Sequence, residues 1–170
     1  IPIYNDKQSL TKLIANINRE INGINAKISI LIINDASSQQ ITDSYTNIEN
    51  IYSIEILNMK ENKGSIRSIA SGLKYIFEKK EFDYVIPMDG DGDDRPEEIV
   101  NFINLSEQSK EKSIVGERVK RSEGLLFQLC YQLHKFLTLV FTGQSIKFGN
   151  FTCLSKSTIE KMLKEKATWN

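Results

Sequence analysis

The sequence predicts an α/β fold of three layers, with a mostly parallel central sheet and helices on both of its faces. Strand-like and helix-like segments alternate along the chain, and this alternation is typical of right-handed βαβ units. The apolar run at residues 28–33 is typical of a strand that is covered on both sides. Together, these two observations favour a parallel sheet buried between helices.

Five segments are predicted to be strands. Residues 1–4 have the character of a strand end, residues 28–33 form the buried run, and residues 51–57 alternate apolar and polar side chains. Residues 84–88 and 113–115 are shorter apolar runs. Because helical segments separate most of them, we expect the strands to join one sheet through crossover connections.

Three helices are predicted from the spacing of apolar residues. Two segments repeat apolar residues at i, i+3, i+4 and i+7, the spacing of one helix face. A third begins at Pro96, where a proline and two glutamates suit a first helical turn. The apolar positions are Leu10, Leu13, Ile14, Ile17 and Ile21 in the first helix, Ile66, Ile69, Ala70, Leu73, Ile76 and Phe77 in the second, and Ile99, Phe102 and Ile103 in the third.

The composition indicates a globular protein without a nucleic-acid partner. The 170 residues are 40% hydrophobic and 26% charged, which is typical of a folded domain and argues against disorder. The 22 basic residues balance 22 acidic residues, so the formal net charge is zero. Proteins that bind nucleic acids generally carry a basic excess. The two cysteines are too few for a disulfide framework.

Polar residues follow four of the predicted strands, at the edge where parallel sheets bind ligands. They occupy residues 4–6, 34–37, 58–64 and 89–94. No GxGxxG follows the first strand, and neither GxxxxGKS nor GxxxxGKT occurs in the chain. The dinucleotide-binding and P-loop classes are therefore disfavoured, because both need a phosphate-binding loop of that kind.

The acidic segment at residues 89–94 has the sequence DGDGDD and predicts a cation site. Four carboxylates so close together repel one another unless a counter-charge offsets the cost. Mg²⁺ or Mn²⁺ commonly binds one or two carboxylates together with substrate phosphates. The alternative is a solvated acidic turn. A calcium loop of the EF-hand kind is disfavoured, because Asp94 and Val100 stand where that loop needs Gly and Glu.

Six short motifs occur in order along nearly the whole chain. They are Pro2-Ile3-Tyr4-Asn5-Asp6, Ile33-Asn34-Asp35-Ala36-Ser37-Ser38, Asn62-Lys63-Gly64 followed by Gly72, Asp89-Gly90-Asp91 followed by Pro96-Glu97, Val115-Gly116-Glu117-Arg118, and Gly149-Asn150-Phe151. In this order they resemble the motifs of family 2 glycosyltransferases of the GT-A fold, and most closely the dolichol- and polyprenyl-phosphate sugar synthase branch. Asp6 replaces a family Glu, and Asn34 replaces the first Asp of a V-D-D-x-S motif.

The resemblance implies a binding site for a nucleotide-diphosphate sugar of the UDP or GDP type. Asp35 would accept hydrogen bonds from the base, and Asp89 would face the nucleotide and the sugar. Arg67 begins the helix after Gly64, so it is either a nucleotide contact or a solvated helix residue. The residues expected to bind the donor are Pro2, Tyr4, Asp6, Asp35, Gly64, Arg67 and Asp89.

The resemblance also implies a metal-assisted transfer. Asp91 would be the main ligand of Mg²⁺ or Mn²⁺, and Asp93 a second contact. Arg118 would approach the phosphates, which suits its planar guanidinium. Asp89, Asp91 and Arg118 are therefore the expected catalytic residues, because a metal and an arginine together neutralise the charge of a diphosphate leaving group.

The resemblance implies a polyprenyl phosphate or a membrane-proximal glycan as acceptor, in the synthesis of cell-envelope glycans. No later Glu-Asp pair offers a general base, and an ionised phosphate acceptor would need none. The apolar segment at residues 125–141, with Lys120 and Arg121 nearby, predicts a helix that packs on the sheet or touches a membrane surface. We therefore expect the protein in the cytoplasm, at the cytoplasmic face of the membrane.

Two other functions remain open on the sequence. One is a nucleotidyltransferase on a similar scaffold, although residues 5–8 lack the usual Gly-rich basic loop. The other is a non-catalytic domain that binds nucleotide sugars, suggested by Asn34 and by the missing base. Residues 1–170 are expected to form one catalytic GT-A domain, as a fragment truncated at both ends.

Overall fold

The computed structural model describes residues 1–42, 45–109, 112–116 and 151–165. The chain divides into two compact units, one of Ile1–Ile114 with Cys153–Asn170, and one of Val115–Thr152. No helix within the described ranges is both long and apolar enough to cross a membrane. The predicted helix at residues 125–141, and the motif residues Arg118, Gly149 and Asn150, lie outside the described ranges.

Strands and helices alternate through most of the first unit, as the sequence predicts. The elements in chain order are β1 (Pro2–Ile3), α1 (Lys7–Glu20), β2 (Ser29–Asn34), β3 (Ser53–Asn58), α2 (Ser65–Lys79), β4 (Tyr84–Val85), α3 (Glu97–Gln108), β5 (Ile114–Val115), β6 (Thr152–Ser155) and α4 (Lys156–Lys164). The α/β class is thereby confirmed.

The first three strands form a parallel sheet in the order β1-β2-β3. The register pairs Ile3 with Asn34 and Asn34 with Asn58, so the last residues of all three strands lie side by side. The segments that follow these strands therefore start from one edge of the sheet, as the sequence predicts for residues 4–6, 34–37 and 58–64.

Two helices frame this edge, and both begin immediately after polar loops. Asp6 is the N-cap of α1, and its carboxylate accepts a hydrogen bond from the Ser9 amide at 3.1 Å. Its predicted apolar face is buried at Leu10, Leu13, Ile14 and Ile17. α2 packs on β1 and β2. A Cβ at Gly72 would lie 2.8 Å from Cδ1 of Ile33, so a larger residue there would require the end of the Ile33 side chain to move.

The sequence predicts one sheet, but β4 and β5 lie in a second sheet of strand order β4-β6-β5, with β4 and β6 antiparallel. β4 ends at Val85 rather than at the predicted Met88, and Pro87 gives a physical reason, because proline has no amide hydrogen for a strand ladder. The sequence analysis did not predict β6 or α4. They complete a cluster in which Leu73, Leu154 and Ile159 are buried.

Candidate functional site

A cavity of about 330 Å³ opens at the carboxyl edge of the parallel sheet. Residues from the ends of β1 and β2, from the start of α2 and from the acidic segment form its wall. The lining residues are Pro2, Ile3, Tyr4, Asp6, Asp35, Ser65, Asp89, Gly90 and Asp91. Segments that are distant in sequence thus meet at the edge where open α/β sheets bind ligands.

Six of the residues predicted to form the site lie in this wall: Pro2, Tyr4, Asp6, Asp35, Asp89 and Asp91. Gly64 immediately precedes the lining residue Ser65, whereas Arg67 and Asp93 are not among the lining residues. Ser65 was missed by the sequence analysis, although its place after the glycine of the third motif was the signal that could have identified it. Arg118 lies outside the described residues.

Asp35 is nearly buried, with 3% of its surface exposed. Its Oδ1 accepts a hydrogen bond from the Lys63 amide at 2.8 Å, and its Oδ2 accepts one from the Gly64 amide at 2.8 Å. Each carboxylate oxygen therefore has a backbone partner, which compensates the cost of burying the charge. The carboxylate ties the end of β2 to the loop that enters α2.

Asn34 takes the place of a family aspartate and uses both ends of its amide. Its Nδ2 donates to Oδ1 of Asn58 at 2.8 Å, and its Oδ1 accepts from the Ser37 amide at 3.0 Å. Aspartate could accept from Ser37 but could not donate to Asn58. The departure from the family motif therefore supports a specific contact between β2 and β3.

Asn5 connects the loop after β1 with the loop after β2. Its side-chain Oδ1 accepts from the Ser38 backbone amide at 2.8 Å and from the Ser38 hydroxyl at 3.0 Å. The backbone amide of Asn5 donates to Oγ of Ser37 at 3.0 Å. Asn5 has a φ of 52°, in the left-handed region that Asn tolerates better than most residues. These contacts hold Tyr4 and Asp6, on either side of Asn5, in the cavity wall.

The acidic segment packs directly against β1. A Cβ at Gly90 would lie 2.6 Å from the carbonyl oxygen of Pro2, so a glycine is required for this approach. The Asp89 amide donates to Oδ2 of Asp94 at 2.9 Å, and the Asp93 amide donates to Oδ1 of Asp91 at 3.0 Å. Some of the carboxylates thus shape the segment itself by accepting from its backbone.

The wall residues fit a divalent cation only together with a phosphate-bearing ligand. In the part of the chain that the structure describes, no three His, Cys, Asp or Glu side chains are grouped closely enough to hold a metal ion. Asp89 and Asp91 both line the cavity, and one or two carboxylates plus substrate phosphates is a common ligand set for Mg²⁺. A cation would therefore bind together with a phosphate-bearing ligand, whose oxygens would complete its coordination shell.

The electrostatics of the wall include one shifted acid. The hydrogen bond from the Ser9 amide lowers the pKa of Asp6 from its ordinary value of 3.8, and Lys12 adds a smaller effect in the same direction. Asp6 therefore presents a negative charge at neutral pH while it caps α1. A carboxylate in this position can accept hydrogen bonds from hydroxyl or amide groups of a ligand.

Comparison with known proteins identifies the family of the chain. The family model for glycosyl transferase family 2 matches residues 1–164. Similar curated proteins are named undecaprenyl-phosphate 4-deoxy-4-formamido-L-arabinose transferase. The one from Proteus mirabilis (strain HI4320) is 24% identical over 92% of this chain and 47% of its own length. The one from Yersinia pestis (strain Pestoides F) is 26% identical over 92% of this chain and 46% of its own length.

The chain spans about half the length of the curated relatives it matches. Their names place them in the polyprenyl-phosphate branch that the motifs resemble. The family match covers β1 through α4, and with them every residue of the cavity wall. The chain therefore belongs to glycosyl transferase family 2.

Proposed function

We propose that this chain is the donor-binding part of a glycosyltransferase that moves a sugar from a nucleotide diphosphate to a polyprenyl phosphate or to a membrane-proximal glycan. The observation that carries the proposal is the cavity itself, in which Asp89 and Asp91 face the loops after β1 and β2. Membership of the family supports transfer as the reaction. A donor of the UDP or GDP type suits the mixed polar and apolar wall.

In this proposal the nucleotide binds between Pro2, Tyr4 and Asp6 on one side and the start of α2 on the other. Tyr4 is 53% exposed while lining the cavity, so part of its aromatic side chain is available to a planar base. Asp89 accepts hydrogen bonds from hydroxyl groups on the sugar side. Arg118, by the family motif, approaches the diphosphate.

Asp91, with Asp93 close to it in sequence, would hold Mg²⁺ or Mn²⁺ when the donor is bound. The Asp93 amide donates to Oδ1 of Asp91, which fixes the orientation of this carboxylate in the cavity wall. When bound, the cation neutralises charge on the departing nucleoside diphosphate. The protein contributes the fixed orientation of the segment, which the packing of Gly90 on β1 provides.

A polyprenyl phosphate is the acceptor that the names of the relatives support, since those names specify undecaprenyl phosphate. Its phosphate oxygen is already ionised at neutral pH and attacks without a general base. A lipid acceptor of this kind places the reaction at a membrane surface. We propose the cytoplasmic face, where it would serve cell-envelope glycan synthesis.

The proposal is tested by donor binding to the full-length protein with Mn²⁺ and after chelation by EDTA. Titration calorimetry with UDP-glucose and GDP-mannose should show tighter binding of at least one donor with Mn²⁺. Asp91→Ala should weaken Mn²⁺-dependent binding about tenfold or more, as expected when a charged contact is lost. Asp83→Ala removes an exposed carboxylate just before β4 and should leave binding unchanged.

Donor binding that is the same with and without Mn²⁺, and unchanged in Asp91→Ala, would contradict the proposed role of Asp91 in metal binding. The released product then separates the reaction classes. Nucleoside diphosphate supports glycosyl transfer, whereas pyrophosphate supports nucleotidyl transfer. Donor binding without turnover, over a panel that includes undecaprenyl phosphate, would instead support a non-catalytic domain.

A further inference from the structure

We propose that Asp94 is a positioning residue, whose carboxylate closes the acidic segment at residues 89–94 and thereby holds Asp89 and Asp91 in the cavity wall. This inference rests on the proposed donor-binding function, because it concerns how the metal-binding side of that site is kept in place. It gives the last carboxylate of the segment a role that the sequence motif leaves unassigned.

The acidic segment lies between two buried anchors, and only part of it is packed. Met88, immediately before the segment, and Ile99, in the first turn of α3, are both buried. Within the segment, Gly90 packs on β1. Gly92, in contrast, has a φ of 88°, and no atom of the described residues lies within 4 Å of the position that a Cβ would take. The part of the segment beyond Gly90 therefore depends on its own hydrogen bonds for a fixed shape.

The side chain of Asp94 accepts the hydrogen bond that closes the segment on itself. Its Oδ2 accepts from the Asp89 amide at 2.9 Å, and this bond joins the last residue of the segment to the first. Asp94 is half-buried and is not among the lining residues of the cavity. A second bond, from the Asp93 amide to Oδ1 of Asp91 at 3.0 Å, orders the residues between the two ends.

The closing bond acts on the donor site through Asp89, whose amide it holds and whose side chain lines the cavity. Because the backbone of Asp89 is held, the direction of its side chain and the path to Asp91 are held with it. Carboxylates this close together repel one another, and a bond to a backbone amide offsets part of the charge of Asp94. Asp89 and Asp91 then face the cavity, which suits a cation that binds one or two carboxylates and substrate phosphates.

Two substitutions separate a hydrogen-bond acceptor from a charge at this position. Asp94→Asn keeps a side-chain oxygen at the same distance from the backbone but removes the negative charge. Asp94→Glu keeps the charge but moves the oxygens outward by one methylene group. In the positioning role, asparagine should replace aspartate and glutamate should not. A role as a metal ligand, or as a charge that attracts the cation, predicts the reverse order.

The first experiment is calorimetric titration of the full-length protein with UDP-glucose and GDP-mannose, in Mn²⁺ and after chelation by EDTA. Asp94→Ala and Asp94→Glu should weaken Mn²⁺-dependent binding about tenfold, the size of effect of losing one hydrogen bond to a charged group. Asp94→Asn should stay within about threefold of the wild type. Residual binding in EDTA should be the same in all variants, whereas general unfolding would lower both. Asp83→Asn, the same chemical change at an exposed site, should leave binding unchanged.

The second experiment needs no donor. Hydrogen exchange of the Asp89 amide in the nucleotide-free full-length protein is read at residue resolution, by mass spectrometry with electron-transfer fragmentation. Exchange of this amide should accelerate about tenfold in Asp94→Ala and Asp94→Glu, because its acceptor is removed or displaced. In Asp94→Asn the amide should keep its protection. Asp94→Glu carries both experiments if Asp94→Ala does not fold.

Two results would overturn the proposal. One is exchange of the Asp89 amide at the wild-type rate in Asp94→Ala. The other is full Mn²⁺-dependent binding by Asp94→Glu together with a loss in Asp94→Asn, which would identify a metal ligand or an attracting charge. If the wild type binds neither donor, the proposed function fails, while exchange of the Asp89 amide still decides whether Asp94 closes the segment.

Discussion

Asp6 shows how one side chain of the site serves folding and the ligand cavity together. Its carboxylate accepts from the Ser9 amide at the start of α1 and also lines the cavity. That hydrogen bond lowers its pKa, so the folded state favours the charged form. A group with a lowered pKa stabilises the fold above its ordinary pKa, and the contribution disappears as the pH falls through the lowered value.

The protein should therefore lose part of its stability as the pH falls below about 4, the ordinary pKa of an aspartate, because the unfolded chain then binds a proton that Asp6 in the folded state still resists. Asp6→Asn keeps a good N-cap but has no charge to lose, so its free energy of unfolding should fall less as the pH drops below about 4. Urea denaturation over a pH series measures this. Asp6→Ala, which removes the cap, should be destabilised throughout the series. Equal acid sensitivity of the wild type and Asp6→Asn would contradict this role.

The sequence motifs placed several individual residues in the cavity wall. Tyr4, Asp35 and Asp91 lie in the cavity wall because β1, β2 and the acidic segment deliver them to one edge. The partners of Asp35 were not predictable. They are backbone amides, and the path of residues 59–64 is set by the φ of 81° at Gly64 and by contacts distant in sequence.

At the scale of elements, the contact between the acidic segment and β1 determines one side of the cavity. The carbonyl oxygen of Pro2 and Cδ1 of Ile3 would lie 2.6 Å and 3.1 Å from a Cβ at Gly90. Of these neighbours, the backbone carbonyl cannot rotate away as the end of a side chain can. An added methyl group therefore has to separate the segment from the strand.

Gly90→Ala should destabilise the fold by about 1–3 kcal/mol, the usual cost of overpacking, and should also weaken donor binding because Asp89 and Asp91 move with the segment. Urea denaturation and donor titration measure the two effects. Gly23→Ala is the control, since Gly23 has a φ of 79° and no atom within 4 Å of a Cβ. It should reduce stability but leave donor affinity unchanged. Wild-type donor affinity in Gly90→Ala would show that the contact does not position the carboxylates.

Among the helices, the longer ones were the more predictable. α1 and α2 have 14 and 15 residues, enough to show several turns of apolar spacing, and both lie where the pattern places them. β6 has four residues and α4 nine, too few for a clear period. β4 was predicted to extend to Met88 because residues 86–88 are apolar. The strand ends earlier because Pro87 has no amide hydrogen to donate to a strand ladder.

At the scale of the whole molecule, the core of the first unit joins distant parts of the sequence. β6 returns from residue 152 to pair with β4, and Cys153, within it, is 1% exposed. Burial raises the pKa of the Cys153 thiol to about 11. The thiol is thus shielded both by the fold and by the low population of its thiolate.

Cys153 should therefore report opening of this core. The chain has two cysteines, so Cys130→Ser leaves Cys153 as its one thiol. At about pH 8, Ellman's reagent should react with this variant very slowly in native buffer and rapidly in denaturing guanidinium, because the thiolate is the reactive form. The absorbance of the released thiolate dye measures both rates. Fast stoichiometric reaction in native buffer would show that β6 is not buried as described.

The attachment of residues 59–64 through main-chain atoms has a consequence for sequence divergence and for engineering. Asp35 contacts the amides of Lys63 and Gly64, and an amide is the same in every residue except proline. Side chains at residues 60–63 can therefore vary while Gly64 keeps the backbone in place. This short loop is a suitable position for randomised libraries that aim at new donor preferences on an unchanged scaffold.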